Sequence, residues 1–232
     1  MKTLFIIPAR AGSKGIIRKN IRLLSGKPLV IHSLDMARNF AEDEDICLTT
    51  NDIDVVEAAE GAGYTVPFLR PHDLAADNTG MREVMLHAIE FYRSHGKIYD
   101  RLVLLQPTSP FRQAEHVQAA LDAYSDDLDM VVSVCESKAN PYYVLFEEDS
   151  EGFLVKSKTG NYTTRQEAPK VWQLNGAVYV FNINSLESKS TADFTKIRKI
   201  VMEQIYSIDL DTELDWKYAL LLNSEYQLLK EF

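Results

Sequence analysis

Leu4-Phe5-Ile6-Ile7-Pro8-Ala9-Arg10-Ala11-Gly12-Ser13-Lys14-Gly15 decides the reading of this chain. The apolar run from Leu4 to Ile7 has the density of a strand buried on both faces, and it stops at Pro8. A loop of small residues follows, with cations at Arg10, Lys14, Arg18 and Lys19 and an amide at Asn20. Small side chains let backbone N–H groups approach phosphate oxygens, so such a loop at a strand end suits a polyanion such as a nucleoside triphosphate. It is not the ATPase phosphate loop, because Gly26-Lys27 is followed by Pro28 where that motif needs Ser or Thr. Nor does the chain carry the G-x-G-x-x-G of a dinucleotide site.

Outward from this loop, strand and helix patterns alternate. Pro28 opens a helix with Leu29, Ser33, Leu34 and Ala37 at helical spacing. Ile46 to Thr50 reads as a strand, Val55 to Ala62 as a helix stopped by Gly63, and Met81 to Tyr92 as a helix. Leu102 to Leu105 is a strand, Glu115 to Tyr124 a helix, and Met130 to Val134 another strand. Alternation of this kind implies an α/β fold, doubly wound on a mostly parallel sheet. From about residue 138 to 172 the style changes to hairpin material, including Tyr142 to Phe146 and Phe153 to Val155. Val178 to Phe181 returns to the core style, Ser207 to Asp211 ends a late strand, and residues 213–231 read as a closing amphipathic helix. The simplest organisation is a single domain over 1–232 with a β-rich arm.

The chain has 232 residues and a net charge of -9. A length of this order supports one large domain with a full core. The acidic balance argues against nucleic acid as the main ligand, which needs a broad basic surface. A local basic loop on an acidic body fits a small anion better. Cys47 and Cys135 lie in apolar runs and read as buried, reduced thiols. His32, His72, His87, His95 and His116 are scattered without metal spacing. No signal peptide precedes the first strand, and no apolar run approaches the roughly 20 residues of a membrane span, so the cytoplasm is the expected location.

Asp209 and Asp211 invite a separate argument. On a strand, residues two apart share a face, so both carboxylates are expected to project together at its end. Two convergent carboxylates repel unless a cation lies between them, and Mg²⁺ takes oxygen ligands. Thr212-Glu213-Leu214-Asp215 reads as a capping box, which makes Asp215 structural.

The opening stretch, with Arg18-Lys19-Asn20 after it, resembles the signature of the acylneuraminate cytidylyltransferases, also called CMP-sialic acid synthetases. Further matches follow in the family's order over nearly the whole chain. They are Arg70-Pro71 with Leu74-Ala75 and Asp77, then Leu104-Leu105-Gln106-Pro107-Thr108-Ser109-Pro110. Arg165-Gln166, Asn175-Gly176-Ala177 with Tyr179, and Asp209 to Asp215 complete them. The resemblance implies a nucleotidyltransferase that couples CTP to a nine-carbon 2-keto sugar acid with Mg²⁺, releasing pyrophosphate. It implies triphosphate handling by Arg10, Lys14 and Lys19, and nucleotide contacts at Ala11, Gly12, Ser13, Asn20, Arg70 and Thr79. Gln106, Arg165, Gln166 and Asn175 are then the sugar residues, with Asp209 and Asp211 as metal ligands. It also implies a homodimer in which the arm reaches the partner's site.

The chain departs from the family where sugar choice is made. Asn140-Pro141-Tyr142-Tyr143 stands where many members carry a lysine, and Gln173 where they carry a second arginine. Thr79 is the nearest hydroxyl to the one expected after Asp77. N-acetylneuraminate, its deaminated analogue, legionaminate and pseudaminate stay open as acceptors. The alternatives are a transferase for the eight-carbon acid Kdo or another sugar, and a non-catalytic nucleotide-binding relative. Tyr142, Tyr143 and Trp172 read as core or dimer contacts.

Overall fold

The computed structural model describes residues 1–76 and 78–229. Asp77, quoted in the second motif, lies outside the described residues. In chain order the strands are β1 (Thr3–Pro8), β2 (Leu23–Leu24), β3 (Lys27–Pro28), β4 (Ile46–Thr49), β5 (Arg101–Leu104), β6 (Met130–Glu136), β7 (Phe146–Glu148), β8 (Leu154–Lys156), β9 (Trp172–Asn182) and β10 (Ile197–Val201). The helices are α1 (Leu29–Arg38), α2 (Ile53–Gly61), α3 (Met81–Ser94), α4 (Ala114–Ala123), α5 (Ile183–Ser188) and α6 (Glu213–Tyr226).

The central sheet runs β10-β6-β9-β5-β1-β4. Strand β1 pairs in parallel with β4 and β5, and β6 with β10. Only β9 runs against its neighbours β5 and β6. The sheet is therefore mostly parallel, as the alternating pattern predicts, with one reversed strand. Successive residues of β1 feed opposite faces. Phe5 and Ile7 pack with Val30, Leu34, Val55 and Val117 from α1, α2 and α4. Leu4 and Ile6 pack with Met85, Ala88 and Leu186 from α3 and α5. Helices cover both faces, which is why the strands read as continuous apolar runs.

A third apolar cluster sits past the strands' carboxyl ends. Ile16, Leu24 and Leu29 meet Phe111, Leu210 and Trp216 there. It knits the opening loop, the loop after β5 and the start of α6 into one block.

Three expectations change. The segment 207–211 is not a strand; the late strand is β10, and 207–211 joins the body through Leu210 N–H donating to Thr108 O at 2.8 Å. Residues 141–144 form a turn rather than a strand, because Asn140 precedes Pro141 and folds back. Its carbonyl accepts from the N–H groups of Tyr143, Val144 and Leu145, and its Oδ1 from Tyr142 N–H. Finally, α6 ends at Tyr226 instead of continuing to 231, because Gln227 turns left-handed at φ 48°. Residues 230–232 lie outside the described residues.

Candidate functional site

The loops after β1 and β5 converge with Arg70, the start of α3 and segment 207–212 around a cavity of about 490 Å³. Its walls include Arg10, Ser13, Lys14, Lys19, Asn20, Arg70, Gln106, Thr108, Asp209 and Asp211. This is the end of an open α/β sheet where ligands bind.

The opening loop is pinned from several sides. Ala11 N–H donates to Asn51 Oδ1 at 2.9 Å, and buried Asn20 donates its Nδ2 to Arg10 O at 3.1 Å. Gly12 takes φ 76°, a left-handed conformation that suits glycine. Gly15 is demanded by packing, since a Cβ there would lie 1.9 Å from the carbonyl oxygen of Asp211. Not every cation of the loop serves the cavity. Arg18 is exposed and pairs outward with Asp54 at 2.6 Å.

Lys19 lies almost wholly within the wall. Its Nζ donates to Leu210 O at 2.7 Å and to Asp211 Oδ1 at 3.1 Å. Asp215 completes the joint from behind. Thr212 and Asp215 form the predicted capping box, and Asp215 Oδ2 also accepts from Asp211 N–H at 3.2 Å. Those bonds, led by the Thr212 hydroxyl, hold the Asp215 carboxyl below its usual range. Asp209 moves the other way: desolvation, then the nearby charge of Asp211, pushes its carboxyl up, against a Thr108 hydrogen bond and Lys19. The two carboxylates thus face one cavity without sharing a strand.

Arg70 is buried at this cavity and, among the described residues, is hydrogen-bonded to neutral groups. Its Nε donates to Thr49 Oγ1 at 3.1 Å and its Nη2 to Thr49 O at 2.6 Å. Burial pushes it down to about 10, so it stays cationic at neutral pH.

Other expected residues stand elsewhere. Ala11 and Gly12 shape the loop without lining the cavity, and Thr79 Oγ1 donates to Asp73 O at 2.9 Å. Asn175 is buried in a bulge of β9 with its carboxamide already engaged. Its Oδ1 accepts from Ser133 Oγ at 2.6 Å, and its Nδ2 donates to Ser207 Oγ at 2.9 Å. Arg165 and Gln166 line a separate depression of about 420 Å³ at the root of the arm, with Asn140 and Lys170. A residue missed from sequence is Arg112, wholly buried just behind Gln106. Its one local signal is a cation directly after Pro110-Phe111.

Among the described residues no group of three or more His, Cys, Asp or Glu could hold a metal. Asp209 and Asp211 nonetheless fit a hard divalent cation, because their mutual repulsion in a partly desolvated cavity is what such an ion relieves. Mg²⁺ commonly takes one or two carboxylates and completes its shell with water and phosphate. The site therefore combines positive charge for a polyanion with two oxygen donors for a cation.

Comparison with known proteins agrees with this chemistry. The chain is 32% identical over 218 residues to a CMP-N,N'-diacetyllegionaminic acid synthase of Legionella pneumophila, covering 93% of this chain and 94% of that protein. It is 29% identical to an N-acylneuraminate cytidylyltransferase of Streptococcus agalactiae, covering 95% of this chain and 53% of that protein. In fold it is similar to a CMP:2-keto-3-deoxy-manno-octonic acid synthetase solved with CTP, at a TM-score of 0.71 and 18% identity, covering 97% of this chain and 99% of the other. The family described as Cytidylyltransferase matches residues 4–228, nearly the whole length on which the cavity is built, and the chain belongs to that family.

Proposed function

We propose that this enzyme couples CTP to a nine-carbon 2-keto sugar acid, giving the CMP-sugar and pyrophosphate. The carrying observation is the convergence of Arg10, Lys14, Lys19 and Arg70 with Asp209 and Asp211 in one cavity of a cytidylyltransferase chain. In the reaction the anomeric hydroxyl oxygen attacks the α-phosphorus, and the bond from that phosphorus to the bridging oxygen of pyrophosphate breaks. Charge grows on the leaving group, so catalysis needs positioning and fixed positive charge more than a covalent nucleophile.

Arg10, Lys14 and Lys19 hold the triphosphate and take up that charge. Ser13, Asn20 and Arg70 hold the nucleotide, on a loop shaped by Ala11 and Gly12, with Thr79 beside it. Asp209 and Asp211 would hold a Mg²⁺ ion, which when bound neutralises phosphate charge. Gln106 faces the acceptor, backed by the Asn175 bulge. Arg165 and Gln166 supply the sugar carboxylate contact from the arm of a second copy in a homodimer, because they lie apart from this chain's own cavity. The dependence on CTP and the free thiols of Cys47 and Cys135 support a cytoplasmic location.

The test is pyrophosphate release with CTP, Mg²⁺ and a panel of nine-carbon sugar acids, with Kdo as the eight-carbon control. Release with at least one nine-carbon acid is expected. Silence across the panel ends the reading, and turnover with Kdo alone reassigns the acceptor.

A further inference from the structure

Arg112 is 1% exposed, among the largest fully buried side chains. Its Nε donates to Ala177 O at 2.8 Å and its Nη1 to Ser33 Oγ at 2.8 Å, while Nη2 donates to Gln106 O. All three partners are neutral, and no ion pair involves Arg112 among the described residues. Burial pushes the guanidinium down to about 9, against the field of the Asp209 carboxylate, and it is still charged at neutral pH. A buried cation whose hydrogen bonds all go to neutral acceptors is costly to desolvate, and an apolar side chain of similar volume often serves a fold as well. Its three directed hydrogen bonds are what set it apart from such a filler.

The three tethers come from α1, from the loop after β5, and from the bulge of β9. Two of them flank one contact. Gly176, next to Ala177 in the chain, takes φ 71°, and a Cβ there would stand 2.9 Å from Gln106 Oε1. The missing side chain makes room for the Gln106 carboxamide, and the guanidinium draws together the two backbones that define that room. Arg112 does not line the large cavity; it is hydrogen-bonded to it through Gln106, and the Asp209 carboxylate of the cavity wall acts on it at longer range. A planar fork can hold three acceptors in fixed directions, which an ammonium on a flexible stem cannot.

We propose that Arg112 is a positioning residue for the acceptor, clamping Gln106 to the β9 bulge so that its carboxamide meets the sugar acid in one orientation. The acceptor half of this statement rests on the function proposed above. Displacement by about an ångström at a substrate-orienting group can cost up to about a hundredfold in rate.

The experiment compares wild type, Arg112→Lys, Ser33→Ala and Gln106→Ala, with each of the first two changes also placed on Gln106→Ala. Steady-state kinetics are measured with CTP and whichever acid the wild type accepts. Arg112→Lys should raise KM for the acid by about tenfold and leave KM for CTP within about twofold, with Ser33→Ala moving the same way by less. Neither change should add to Gln106→Ala, since both act through that side chain. Independent of turnover, the Gln106 side-chain NH₂ signals in ¹H–¹⁵N NMR should shift in both variants, while those of distant Gln118 stay put. Full multiplicative effects on the Gln106→Ala background, or parallel losses for both substrates with a lower Tm, overturn the clamp. If Arg112→Lys does not fold, Ser33→Ala alone decides. Unmoved Gln106 signals overturn the proposal; moved signals in an enzyme that accepts no acid overturn the function and keep the clamp.

Discussion

The two ends of this molecule that carry function are built on opposite rules. Around the cavity, polar groups are buried and engaged: Asn175, Ser133, Arg70 and Arg112 each have named partners. In the arm every residue of β7 and β8 is exposed, and Phe153 and Leu154 stand 65% and 70% open. A two-stranded ribbon is marginal by itself in water, and apolar surface of that extent calls for a cover. The difference teaches that the cavity is complete within one chain, whereas the arm needs another surface. On the function proposed above, the rigid part then serves the nucleotide and the arm serves the choice of sugar.

The sharpest way to break this contrast is Lys19→Ala. It removes a cation held between Leu210 O and Asp211, and turnover should fall about 10²–10³-fold, the scale for losing one partner of transition-state charge. Single-turnover formation of pyrophosphate measures it, and near-normal turnover would take Lys19 out of the mechanism.

A smaller effect is expected from Phe153→Asp with Leu154→Asp. Both side chains are exposed in one copy, so the chain itself should tolerate the change. Sedimentation should show the wild type as the proposed dimer and the variant without it, and KM for the acid should rise about tenfold with KM for CTP unmoved. A dimer that persists with normal kinetics would make the arm idle.

The smallest expected effect belongs to Asp215→Asn. The capped carboxylate, held below its usual range, stabilises the fold above the unfolded value of about 4 and loses that contribution as pH falls through the folded value. The variant should be about 1 kcal/mol less stable at pH 7, with the gap narrowing once the pH falls below the unfolded carboxyl range, as read by urea unfolding at neutral and acid pH. A pH-independent gap would show that the charge is not what matters.

How far the sequence could be read follows from the same contrast. The opening loop was legible because an apolar run, a proline and small cationic residues are local signals, and β1 ends where they say. Asp209 and Asp211 were found by an argument from strand periodicity, yet they meet at the cavity through an extended segment bonded to Thr108. The residues were visible and their geometry was not, since a lone long-range backbone bond leaves no pattern. Arg112 was passed over because arginine ordinarily belongs to the surface, and only three-dimensional context shows its three tethers. In the arm, aromatic and β-branched residues suggested a strand at 142–146, but Asn140-Pro141 enforces a turn first.

The contact of Gly15 with the Asp211 carbonyl has a consequence for the order of events during synthesis. The loop around Gly15 has no finished form until the segment around Asp211, made much later, arrives to brace it. Lys19 reaches its partner Leu210 across 191 positions, among the most distant pairings in the protein. Contacts so remote in sequence form late. The growing chain therefore carries the cations of this loop long before the cavity they line can close, and a chain truncated before Leu210 has the signature without the cavity wall.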